Sequence, residues 1–185
     1  HDNFKLMDDL YMYNKSWKYK DRMAFDFDFI GIQNYFSVTV KYNPIIPIVQ
    51  ASEVKASTRK VPHTDMGWEI NADSFYRMLN RFWHYGSVKE IMVTESGAFF
   101  KDTIQNGAVH DFQRIDYFQQ YLAAMQKAMK EGVKINGYLA WTLMDNFEWT
   151  EGYKAKFGLI HVDPKTQLRT IKDSGYWWRN FLMNK

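Results

Sequence analysis

The sequence predicts an α/β protein whose strands run parallel to one another. Apolar, β-favouring runs alternate along the chain with amphipathic stretches of helical period, and the spacing between runs leaves room for helical crossovers. The run Ile91-Met92-Val93-Thr94-Glu95-Ser96-Gly97 ends abruptly in a carboxylate and a turn-permissive glycine, so that a strand delivers Glu95 to a loop. In parallel α/β architectures functional side chains gather at the C-terminal strand ends, where loops vary while strands hold position. By itself, a glutamate after a strand is more often a solvated loop residue than a catalyst.

Taken in order, residues 1–25 place Phe4, Met7, Leu10 and Tyr11 at loosely helical spacing, followed by a Lys- and Tyr-rich connector. From Asp26, the cluster Phe27, Phe29, Ile30, Ile32 and Tyr35 around Gly31 predicts a mostly buried strand ending near Tyr35-Phe36. Residues 43–70 contain Pro44, Pro47 and Pro62 and read as a long loop, functional or flexible, with a short strand around Ile45–Val49. Phe75, Met78, Leu79, Phe82 and Trp83 then share one helix face, with Asn71 or Asp73 as cap and Gly86 as stop. The strand Val88–Thr94 follows, and a polar turn region around Lys101–His110 leads to Asp111 as the N-cap of a long helix. That helix carries Ile115, Phe118, Leu122, Met125 and Met129 on its apolar side and ends before Gly132.

Val133–Trp141 is the next strand, succeeded by the aromatic-acidic loop Asp145–Tyr153 and a hairpin at Phe157–Asp163 turning at Pro164. A last helix over about Lys172–Leu182 should turn Trp178, Phe181 and Leu182 inward. Three strands wrapped by helices leave two open sheet edges and an uncovered face, so further sequence or another chain is expected to complete them. Without it, the open edges would favour self-association.

Composition narrows the function classes. The 185 residues are 46% hydrophobic, enough for one domain with a real core, and 18% aromatic with seven Trp, so large rings must fill that core or line a ligand surface. The net charge of +3 is spread without a basic run, which points away from nucleic acid and from membrane surfaces. There is no cysteine, hence no disulfide and no thiolate chemistry. Nothing approaches the length of a membrane helix, and the start at His1, without Met or a signal-like stretch, is expected of a processed or truncated polypeptide that is soluble, with the cytoplasm slightly favoured. His1, His63, His84, His110 and His161 show no metal-ligand spacing and read as surface or packing residues, and no glycine loop of phosphate-cradling type occurs. Neither metal nor cofactor is expected.

The sequence Thr94-Glu95-Ser96-Gly97, read together with Trp141 and Asp145-Asn146-Phe147-Glu148-Trp149, resembles family 1 glycoside hydrolases, the β-glucosidase family. Gly152-Tyr153, Phe157-Gly158-Leu159, Val162-Asp163, Thr166-Gln167, Arg169 and Lys172-Asp173-Ser174 extend the likeness, which runs from about Asp26 to the end. The resemblance implies a (β/α)8 TIM barrel of which residues 1–185, as a single domain, supply the C-terminal portion with about strands six to eight. Such barrels need about 250 residues. It further implies a retaining β-glucosidase, which uses two carboxyl groups about 5 to 5.5 Å apart.

By that resemblance Glu95 is the nucleophile and Tyr35 its hydrogen-bond donor, although an ordinary core tyrosine is the plainer reading of Tyr35 from spacing alone. Trp141, Glu148, Trp149 and Phe157 would bind the sugar; without the motifs, the two tryptophans could equally be a core pair beside a solvated glutamate. The family's acid/base glutamate belongs to an Asn-Glu-Pro motif absent from these 185 residues. The implied partners are therefore a β-glucoside or oligosaccharide substrate and the N-terminal part of the barrel, from missing sequence or another chain. Ser96 stands in place of the usual Asn, and Gln33 where Asn is common. The phosphate-accepting branch of the family is disfavoured by Glu148, Ala155 and Phe157, where that branch has Ser, Lys and Tyr. A non-catalytic sugar-binding or scaffold half-barrel is the alternative.

Overall fold

The structure is a computed structural model that describes residues 26–85 and 87–184. The helix expected within residues 1–25 and the stop expected at Gly86 lie outside the described residues.

Three parallel strands form the centre: β1 (Ile30–Gln33), β4 (Ile91–Ser96) and β7 (Ile135–Ala140), in the order β1-β4-β7. Ile32 pairs with Val93, Gln33 with Glu95, and Ser96 with Ala140, so the C-terminal ends of the three strands finish side by side. Ile91 and Val93 are fully buried because β4 has a strand on either flank. β1 departs from the expected buried strand. Only Ile32 is buried there, since β1 is an edge strand.

Two antiparallel strands, β2 (Val40–Tyr42) and β3 (Ala51–Glu53), follow β1 as a hairpin. Ile45–Val49 is thus not a strand but the hairpin's connection: Pro44 and Pro47 withhold backbone donors from any ladder there, and Ile48 takes a positive φ of 67°. A short helix, α1 (Ala56–Arg59), leads on to α2 (Ala72–Trp83), whose N-cap Asn71 accepts from the Ser74 N–H at 2.9 Å. Phe75 and Leu79 of α2 are fully buried, with Met78, Phe82 and Trp83 packed beside them, as the spacing predicts.

The polar stretch after β4 holds a small hairpin, β5 (Ile104–Gln105) and β6 (Ala108–Val109). Its turn is Asn106-Gly107, both at positive φ, a pair that favours two-residue hairpin loops. In the long helix α3 (Phe112–Lys130) the fully buried stripe is Arg114, Tyr117, Phe118, Tyr121 and Ala128; of the expected series Phe118 lies in it, Leu122 and Met125 pack at its border, and Ile115 is only half-buried. Tyr117 and Tyr121, stacked at 4.1 Å between ring centroids, take the sheet-facing side, and Met129 is left exposed.

The terminal hairpin pairs β8 (Ile160–Val162) with β9 (Arg169–Ile171), its turn braced by the Asp163 carboxylate accepting from the Lys165 and Thr166 N–H groups. In α4 (Asp173–Met183) Trp178 is buried as expected, but Phe181 and Leu182 are not: they are 48% and 56% exposed. Phe181 stacks on Trp177 at the open side of the α3–α4 pair, where nothing among the described residues covers it. No described helix is long and apolar enough to cross a membrane.

Candidate active site at the C-terminal strand ends

The convergence of β1, β4 and β7 brings most of the predicted residues together. Just past the end of β1, the Tyr35 hydroxyl donates to Glu95 Oε2 at 2.6 Å. The backbone closes the same gap, with Asn34 N–H donating to the Glu95 carbonyl and Trp141 N–H to the Ser96 carbonyl, both at 2.9 Å. Gly97 permits this approach: a Cβ there would stand 2.0 Å from the Trp141 carbonyl oxygen, so any side chain would force the ends of β4 and β7 apart.

Burial pushes the Tyr35 hydroxyl well above its ordinary value, and the hydrogen bond to Glu95 adds to the shift. Tyr35 therefore stays protonated and acts as donor, orienting one carboxylate oxygen of Glu95.

Trp141, at the exit of β7, donates its indole Nε1–H to Glu148 Oε1 at 3.1 Å. Burial raises the Glu148 carboxyl above its ordinary range, the negative charge of Glu95 pushes it the same way, and the Trp141 hydrogen bond opposes both. Phe157, only 3% exposed, forms an apolar wall with Phe99 and Ala155 against which Tyr35 and Trp141 pack. Trp149 stands apart. It begins a short 3-10 turn, Trp149–Glu151, at a positive φ of 42° and is 88% exposed.

Two features escape motif reading. Trp68, in the 43–70 segment, meets Tyr35 edge-on at 5.7 Å, stacks on Phe36 at 4.6 Å and lies 6.0 Å from Phe157. Its only sequence signal is an indole after Gly67 in an otherwise polar stretch. Ser96 is the second: fully buried, it shares its hydroxyl hydrogen bond with the Tyr117 hydroxyl at 3.0 Å and so faces the helix layer.

The arrangement presents an oriented carboxylate beside an indole–carboxylate pair and an aromatic wall. A flat apolar surface next to hydrogen-bonding groups suits a sugar ring, whose C–H faces and hydroxyls need both.

Comparison with known proteins gives the same direction. Residues 14–185 match the family described as Glycosyl hydrolase family 1. Beta-glucosidase A of Thermotoga maritima is 41% identical over 170 residues, which are 90% of this chain and 37% of that protein. The 1,4-beta-D-glucan glucohydrolase of Thermotoga neapolitana is also 41% identical, over 86% of this chain and 35% of its own length. Among solved structures, the Thermotoga maritima family 1 glycoside hydrolase complexed with a cyclophellitol analogue superposes with a TM-score of 0.85 at 39% identity, covering 97% of this chain and 40% of that one. Family 1 glycosidases are TIM barrels, and this chain spans well under half the length of each of these relatives.

Proposed function

Because the chain belongs to glycosyl hydrolase family 1, we propose that it carries the nucleophile-bearing part of a retaining β-glucosidase site acting on unphosphorylated β-glucosides or close epimers. Its three parallel strands are then the sixth to eighth of a (β/α)8 barrel, and the acid/base glutamate comes from sequence outside this chain. In the first step, Glu95 attacks the anomeric carbon while the acid protonates the leaving glycosidic oxygen. The bond to the aglycone breaks and a glycosyl ester forms on Glu95. In the second step, water deprotonated by the same acid/base residue cleaves that ester, so two inversions give net retention.

Tyr35 holds Glu95 in its attacking orientation during the first step. Trp141 and Phe157 contact the sugar's apolar faces, the exposed Trp149 joins them from the neighbouring loop, and Glu148 accepts from the sugar's hydroxyls, so that binding energy realised there can serve the transition state. Glu148 in its ionised form would repel a dianionic phosphate on the sugar. The observation that carries the reading is the Tyr35–Glu95 hydrogen bond at 2.6 Å, placed at the parallel strand ends.

The test is mechanism-based labelling. With the chain assembled with the acid/base-bearing part of the barrel, a 2-deoxy-2-fluoro β-glucoside should add one glycosyl group to the peptide containing Glu95. Binding without a label would support a sugar-binding scaffold instead, and faster labelling by the 6-phosphorylated analogue would overturn the substrate class.

A further inference from the structure

Next to the strand ends lies a cluster of charge that the proposed chemistry does not use. The side chains of Asp102, Asp111, Asp145, Arg114 and Lys172 are each no more than 1% exposed. Lys172, at the N-terminus of α4, places its ammonium against Asp102 and 2.9 Å from Asp145 Oδ1. Asp102 lies on the segment that leaves Glu95, and Asp145 opens the segment that carries Glu148. One buried cation thus ties together the two segments on which the site depends.

Further bonds make these ties directional. Asp145 accepts from the Gly158 N–H at 2.9 Å and the Val162 N–H at 3.4 Å, and its own N–H donates to the Ile160 carbonyl at 2.9 Å. A Cβ on Gly158 would stand 2.2 Å from the Asp145 nitrogen, so this approach requires glycine. Arg114 reaches the Ala98 carbonyl at 3.2 Å, the Lys156 carbonyl at 2.6 Å and the Asp102 carboxylate at 3.3 Å, and also contacts Asp111. Lys156 and His161 border the cluster, 3.9 and 3.3 Å from Asp145 Oδ2.

Apolar side chains of similar volume often stabilise a fold as well as, or better than, buried ion pairs, because desolvation offsets the Coulombic gain. What charge–charge hydrogen bonds supply is fixed angles and distances. We propose that Lys172 is a positioning residue: its buried ammonium, bridging Asp102 and Asp145, sets where Glu148 and Trp141 stand relative to Glu95. This rests on the function proposed above.

The experiment uses the assembled barrel, with active sites counted by the 2-fluoro label so that misfolded molecules drop out. Lys172→Met removes the charge at nearly constant length. Per labelled site, KM for a β-glucoside should rise about tenfold, and the preference for the glucoside over deoxy analogues lacking a hydroxyl that Glu148 accepts should fall by a similar factor, since small misplacements of binding groups carry penalties of this order or larger. Lys172→Arg should restore most of that preference. Asp102→Asn, which spares the Asp145 arm, should shift both quantities the same way but less, and serves if Lys172→Met does not fold.

Fewer labelled sites with KM and preference unchanged per site would mean that the cluster only holds the fold, and the proposal would fail alone. A parent protein that takes no label at Glu95 would instead remove the functional reading and this inference with it.

Discussion

At the scale of single residues, the contact that matters most is the hydroxyl of Tyr35 on Glu95 Oε2. A hydrogen bond to a charged group contributes roughly 1.5–3 kcal/mol. In the assembled barrel Tyr35→Phe should therefore lower kcat/KM for an aryl β-glucoside about tenfold to a hundredfold, with slower labelling of Glu95 and little change in folding. Parental kcat/KM in that variant would show that Glu95 is oriented by other groups. The motifs name both partners, yet from spacing alone a core tyrosine is the plainer reading of Tyr35. What separates the two readings is the direction of one side chain, which depends on where β1 ends relative to β4, a property of strand pairing.

At the scale of elements, the β2–β3 hairpin and α1 are secured to the body largely through Glu69. This carboxylate receives Arg59, the Thr39 hydroxyl at 3.3 Å and the Asn71 side-chain amide at 3.3 Å. The Arg59 hydrogen bonds come first among the causes that hold the Glu69 carboxyl below its ordinary value of 4.5, against a smaller opposing effect of burial. The sign follows from linkage: a carboxyl depressed in the folded state contributes stability that is fully present above the unfolded value and is lost as pH falls through the folded one. Amide protection in β2 and β3, corrected for intrinsic exchange, should hold from neutral pH down to about 4.5 and decline only below it. Glu69→Gln should show the weakened protection already at pH 7, and a decline in the parent that begins near neutrality would point to a different anchor. The hairpin itself is hidden in the sequence because its strands are short, are exposed in β2 and carry no clear alternation, whereas the apolar run Ile45–Val49 of the connection has the residue types of a strand.

At the scale of the whole molecule, the 185-residue polypeptide on its own should not hydrolyse aryl β-glucosides, because no Asn-Glu-Pro acid/base motif is present in it. Turnover by the purified chain above that of a Glu95→Gln control would refute this. The exposed Phe181, Leu182 and Met183 of α4 give the isolated chain an adhesive face in addition to its two edge strands. The sequence by itself determined the strand–helix alternation, the place of Glu95 at a strand end and the aromatic-acidic segment after β7, because periodicity and short motifs are local. Only the tertiary structure decided that Tyr35 reaches Glu95, that Trp68 joins the aromatic wall, that Phe181 faces outward and that Lys172 links two loops. Each of these depends on which surfaces of distant segments meet, and a side chain's neighbours are set by strand register and helix rotation rather than by its place along the chain.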